Sequence, residues 1–377
     1  GIYLMDVVSG ETRFVSERGT DPHFGPNGRI YVEERAETAT GRGVKTAKTR
    51  LLSMTQNGND VRDIAQVDNA RSLQLSPTGT HIAFIDNFQV HIAPFQPSGK
   101  LIVLDRASAS SVTPFPVVQV STVGGTYLNW SADGKRVNWS VGAQMKTVNV
   151  ADALSDGFVA PGSGRDLSIE VPFAKPDSKF ALINARIITM NGDREVIEKG
   201  AVLVEDNRIK AIGDVRDIKV PKTYTIVDMS GKTVIPGLID IHAHGPYGSG
   251  QIVPQQNWNL LAHLALGVTT VHNPSSSAHL AFAAAEYVKA GKIVGPRIYS
   301  TGEIVYGAKS SYYSRIDSLD DALAHIRRLK AQGAISVKNY NQPRREQRQQ
   351  VIEAARQEGL MSVAEGGSLY SMDLNLI

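Results

Sequence analysis

The spacing of apolar and polar positions changes along the chain, and each change predicts a different kind of structure. Up to about residue 153, short segments alternate, as in Ile30-Tyr31-Val32, His81-Ile82-Ala83-Phe84-Ile85 and Val137-Asn138-Trp139-Ser140. Gly, Asn and Asp separate them, which is the pattern of an all-β region. Residues 154–179 lose this period and gather Asp156-Gly157, Pro161-Gly162-Ser163-Gly164, Pro172 and Pro176, the composition of a linker. Short strands return at 181–189, 200–204 and 208–212, the last two joined by a Glu205-Asp206-Asn207 turn. Beyond residue 234, strand-length apolar runs alternate with helical periods, which predicts βα units and a parallel sheet.

An internal repeat runs through the first region. Phe24-Gly25-Pro26-Asn27-Gly28, Leu75-Ser76-Pro77-Thr78-Gly79 and Trp130-Ser131-Ala132-Asp133-Gly134 each join an incoming strand to an outgoing one. Their final glycines lie 51 and then 55 residues apart. A unit of that length with several strands fits propeller blades. The three units resemble blades of TolB-like propellers. A closed propeller takes about four to eight blades, so the chain is expected to begin partway through a longer protein. His23, His81 and His91 have no spaced partner and are expected at turns or on the surface.

In the last region the strands are expected at 235–241, 267–272, 297–300, 335–338 and 361–365. Ser318-x-x-Asp321 signals a helix start, with Leu319, Ala322, Leu323, Ile326 and Leu329 as its buried stripe. Pro343 opens the next helix and Gly359 closes it. Strand spacings of about 26 to 38 residues fit a (β/α)₈ barrel, of which about five units are expected here.

The stretch 233–245, TVIPGLIDIHAHG, carries the candidate chemistry. Side chains i and i+2 of a strand share a face, so His242 and His244 leave the same side at its C-terminal end. Two imidazoles so placed can share one metal ion, and the C-terminal end of a strand buried on both faces is where barrel enzymes keep their sites. The run from Pro236 to His244 resembles the opening signature of the amidohydrolase superfamily. The run from Gly200 to Gly213 is similar to that family's small sandwich lead-in. The resemblance covers about residues 180–377.

The resemblance implies a metal-dependent hydrolase of the imidazolonepropionase- and prolidase-like branch, acting on carbon–nitrogen bonds other than ordinary peptide bonds. It implies one or two divalent ions, zinc first, held by His242 and His244. Lys338, otherwise readable as a surface lysine at a strand end, would be carboxylated and bridge the metals. Glu365 stands where the family usually has histidine, as a ligand, as a support behind the ligands, or in contact with substrate. His272 ends the second strand and is a candidate for the mouth of the site, or a structural hydrogen bonder. Tyr306, with Tyr312 and Tyr313 in the Tyr- and Gly-rich loop 302–314, is a candidate for the substrate pocket. His263, His279 and His325 lie on predicted helices and are expected to face outward. The family's general base ends the eighth strand, beyond Ile377, so no base is named. Asp240 sits one step deeper in the first strand than the histidine pair, away from the mouth.

Composition narrows this further. The chain has 377 residues, 42% hydrophobic and 20% charged, which suits a multidomain globular protein. A net charge of +3 gives no case for nucleic acid as a partner. With no cysteine, disulfides and thiolate ligands are excluded, and any metal must use His, carboxylate or a lysine derivative. No apolar run reaches the length of a membrane span.

The expected architecture is therefore a propeller segment (1–153), a linker (154–179), a small β-sandwich (180–234) and a partial TIM-type barrel (235–377). The expected substrate is a small amide or peptide-like molecule, with the propeller available to a protein partner. The propeller resemblance points to a periplasmic or secreted location, with the cytoplasm as the alternative. The rival function is a non-catalytic binding module or an inactive fragment with a vestigial barrel.

Overall fold

A computed structural model describes residues 1–40, 44–104, 116–245, 247–249, 252–308 and 314–365. The chain is mostly β and divides into two compact units. One holds residues 1–169, 274–279 and 300–377, the other 170–273 and 280–299.

The first unit begins with a two-stranded ribbon, Ile2–Met5 with Thr12–Ser16, followed by three antiparallel sheets in succession. The first sheet runs Thr20–Phe24, Ile30–Thr40, Val44–Met54, Arg62–Asp68, with Ile102–Leu104 added in parallel at its outer edge. The second runs Ser72–Leu75, His81–Asp86, Gln89–Pro94, Val118–Gln119. The third runs Thr126–Trp130, Arg136–Val141, Gln144–Asn149, Arg165–Asp166. Tyr31, Leu51, Leu73, Phe84 and Leu104 form one core between the first two sheets. Ile85, Val90, Ile92, Leu128 and Trp139 form another between the second and third. A sheet with both faces covered needs an unbroken apolar run. His81–Asp86 supplies one, its four central residues all buried.

The three repeated turns follow one design. Gly28, Gly79 and Gly134 take φ of +65°, +75° and +68°, the left-handed region that glycine enters at no steric cost. Successive turns also nest: a Cβ on Gly79 would lie 2.6 Å from Pro26 Cγ, and one on Gly134 would lie 3.1 Å from Thr78.

The same unit contains a parallel pair, Ser336–Asn339 with Met361–Ala364. The helix Leu319–Gln332 starts where Ser318 Oγ accepts from Asp321 N–H at 3.1 Å, while the Asp321 carboxylate reaches back to Asp317 N–H at 3.0 Å. Its buried stripe includes the expected Ala322, Leu323, Ile326 and Leu329. Gly359, at φ +69°, ends the helix Arg345–Glu358 in a left-handed cap.

In the second unit, Lys179–Ile188 lies at the centre of a five-stranded sheet with Val196–Glu205, Arg208–Asp214, Thr225–Asp228 and Thr233–Val234. A separate three-stranded sheet orders Leu238–Asp240, Val268–Asn273 and Arg297–Ser300, its first pair parallel. Val271, Leu280, Ala281, Ala284 and Ile298 form the core against it.

Several expectations change. The parallel strands form as pairs and triplets, and no barrel closes among the described residues. The strand ahead of the histidine pair is short, Leu238–Asp240, and is not buried on both faces. Ile239 and Ile241 are 65% and 76% exposed. The strand lies at the edge of its sheet, and none of its three residues is buried. His91 is fully buried, its ring stacked on Phe84 at 5.1 Å and hydrogen-bonded to Gln89 O, and is not a surface residue. His325 faces inward, donating from Nε2 to Arg315 O at 3.1 Å. Its ring meets Phe88 edge-on at 5.7 Å, and a backbone carbonyl accepts from it.

Candidate functional site

The histidine pair owes its geometry to a turn rather than to a strand. Leu238–Asp240 ends when the Asp240 carboxylate accepts from His242 N–H at 2.9 Å, closing an Asx-type turn. Ala243 then points inward, buried, and its N–H donates to His272 O at 3.1 Å. With the middle residue anchored, His242 and His244 both project outward, exposed to solvent. Their Nε2 atoms lie 3.1 Å apart, with ring centroids at 4.9 Å and planes at 75°.

That separation bears on metal binding. Two nitrogens each about 2.0–2.1 Å from one tetrahedral zinc ion stand about 3.3 Å apart. The pair thus needs only a small adjustment to share an ion through both Nε2 lone pairs. Without a cation, one ring must donate to the other.

His272 lies beside the pair. Its Nδ1 donates to Ile241 O at 3.3 Å, which places the proton of the neutral ring on Nδ1. Burial pushes its pKa below that of a free imidazole, and the nearby His242 charge adds to this. Asp240 is engaged with the backbone of His242, consistent with a shaping role.

Lys338 and Glu365 come together in the other unit. Lys338 lies on Ser336–Asn339, a strand buried at every position, and its side chain is 3% exposed. It forms an ion pair with the Glu365 carboxylate. Glu365 is held by its backbone: its N–H donates to Asn339 O at 3.1 Å and its carbonyl accepts from Arg348 Nη2 at 3.2 Å. The Tyr340 ring lies 5.4 Å from Lys338 Nζ, and Tyr306 meets Tyr340 edge-on at 5.1 Å. Tyr340 was not among the expected site residues. Its place two positions after the strand-end lysine, on the same side by alternation, was the available signal. Tyr312 and Tyr313 lie outside the described residues.

A carboxylated Lys338 would set one anion against another, Glu365, and this arrangement needs a cation between or beside them. Among the described residues no group of three or more His, Asp or Glu side chains is gathered as a metal cage. The donor chemistry of the two pairs suits hard or borderline divalent ions, and the histidine spacing fits one such ion.

No family profile matches the chain. Over 66 residues it is 38% identical to 5-methylthioadenosine/S-adenosylhomocysteine deaminase of Bacillus thuringiensis (strain Al Hakam), which is 18% of this chain and 15% of the deaminase. The chain therefore matches well under a fifth of that relative's length. Among solved structures it is similar to molinate hydrolase (18% identity, TM-score 0.43, covering 54% of this chain and 56% of that one). It is also similar to phenylurea hydrolase B (21% identity, TM-score 0.42, covering 53% and 58%).

Proposed function

We propose that the chain is part of a metal-dependent hydrolase of the amidohydrolase type, acting on carbon–nitrogen bonds of small amide or peptide-like molecules. The observation that carries this reading is the convergence of His242 and His244 Nε2 to 3.1 Å. These two side chains would hold the ion. Lys338, carboxylated, and Glu365 are proposed as further ligands, on the strength of the sequence resemblance. A bound divalent ion, zinc first, would lower the pKa of a coordinated water and polarise a scissile carbonyl.

The chain's own residues supply the setting. Asp240 holds the turn that aims the pair, and Ala243 pins it to the second strand. His272, beside the pair, is proposed as a substrate contact. Tyr306 and Tyr340 give an aromatic wall beside Lys338, suited to an uncharged amide substituent. The three antiparallel sheets of the first unit are proposed as propeller blades, with 180–234 as a sandwich and 235–377 as barrel units joined by 154–179. A periplasmic or secreted location is part of the proposal.

The deciding experiment is elemental analysis of purified protein beside the His242→Ala/His244→Ala double variant, followed by an amide-hydrolysis screen of the metal-loaded protein. Stoichiometric zinc or another divalent metal, lost in the variant, supports the reading. A folded wild type that takes up no metal overturns it and leaves the binding-module function.

A further inference from the structure

Within the first unit, two arginines share one aromatic ring. The guanidinium carbon of Arg328 lies 3.6 Å from the Phe88 centroid and that of Arg71 lies 3.9 Å from it. Two groups so close over one ring overlap if they share a face, so they sandwich it. Glu303 is the carboxylate of the cluster. Its Oε2 accepts from Arg328 Nη1 at 3.0 Å and its Oε1 from Ala278 N–H at 3.0 Å. Burial works to raise the Glu303 pKa, but the Arg328 charge, the Ala278 N–H and Arg71 outweigh it and keep the carboxyl below its ordinary value. Among the described residues one carboxylate thus faces two guanidinium groups, which leaves positive charge over.

Part of that charge is unmatched by any hydrogen-bond acceptor among the described residues. Arg328 is 2% exposed. Its Nη1 has two acceptors, Glu303 Oε2 and Gln332 Oε1 at 3.3 Å. Its Nε and Nη2 are buried with no partner among the described residues. These two atoms make the side-on edge of a guanidinium, the fork that takes a carboxylate or phosphate with two parallel bonds. Stacking on Phe88 offsets charge but gives these N–H groups no acceptor. Arg328 is also held in place: a Cβ on Gly124 would lie 2.9 Å from Arg328 Cδ. Arg71, by contrast, is reached by solvent, although the protein around it desolvates the guanidinium and pushes its pKa down to about 10. It offers the open side of the cluster.

We propose that this cluster is an oxyanion-binding site, in which the Nε and Nη2 edge of Arg328 takes a carboxylate or phosphate group admitted past Arg71. Glu303 holds the opposite edge of the guanidinium and fixes the fork. The proposal does not depend on the metal site or on hydrolytic activity.

Isothermal titration calorimetry of the whole chain tests it, with inorganic phosphate and acetate in separate arms at constant ionic strength. Wild type binds one of the two saturably, and the arm that saturates distinguishes phosphate from carboxylate chemistry. Arg328→Lys keeps the charge and loses the fork, weakening binding by about tenfold or more. Arg71→Gln, at a solvent-open position, weakens it by about fivefold. No saturable binding in wild type, or binding unchanged in Arg71→Gln, overturns the proposal. If Arg328→Lys does not fold, Arg71→Gln decides alone.

Discussion

His242 and His244 bring their Nε2 atoms to 3.1 Å across a single intervening residue, and the buried Ala243 between them is what makes both rings face outward. Replacing either histidine by alanine is expected to lower zinc affinity by about a hundredfold or more, since one imidazole cannot chelate. Competition titration against a chromogenic chelator measures this. Equal affinity in His242→Ala and wild type would remove the pair from the metal site.

Asp240 acts on the pair through the backbone. Asp240→Ala removes the acceptor for His242 N–H and releases the turn. The expected result is a loss of zinc affinity of about tenfold, with Asp240→Asn restoring most of it because the amide oxygen still accepts. Failure of the asparagine to restore affinity would point to a charge effect instead.

Lys338 and Glu365 are a pair whose halves are unequally enclosed, the lysine deeply and the glutamate partly. Glu365→Ala strands a buried ammonium and is expected to cost about 2–4 kcal/mol in denaturant melts. A Lys338→Met/Glu365→Leu variant should cost less than Glu365→Ala alone, because it removes the stranded charge. The reverse order would show that the pair itself stabilises the fold.

Glu33 makes the first unit sensitive to pH. It is 5% exposed, and burial pushes its pKa up to about 7 although Leu73 N–H and Ser72 Oγ both donate to it. A carboxyl whose pKa is higher in the folded state than in the unfolded state favours folding when protonated. That stability is complete below about pH 4.5 and lost as pH rises through about 7, for a total of about 3 kcal/mol. Thermal melts at pH 5 and pH 8 should show a fall in wild type that Glu33→Gln lacks. Parallel falls in the two proteins would remove Glu33 as the cause.

Gly79 is the tightest of the repeated turns. With φ at +75° and Pro26 Cγ 2.6 Å from the position of a Cβ, Gly79→Ala is expected to destabilise by about 1–3 kcal/mol. Gly10 shares the positive φ but meets nothing within 4 Å, so Gly10→Ala should cost less. Equal losses would mean that the backbone angle alone, not nesting of the turns, sets the cost.

Much of this protein is legible in local sequence because local rules decide it. Alternation and the Pro-x-Gly type of turn marked the strands of the three antiparallel sheets, and the cap at Ser318 with its apolar stripe marked the helix Leu319–Gln332. The separation of His242 and His244 by one residue marked the candidate site. Tertiary structure decided the rest, because burial and pairing depend on residues far apart in the chain. It placed His91 in a core and Arg328 under Phe88, and it left Ile239 exposed on an edge strand. It joined Lys338 to Glu365, separated by a helix in sequence but set on one strand and just past the end of its parallel neighbour. Periodicity tells which face of an element is apolar. Only the packed chain determines what that face meets.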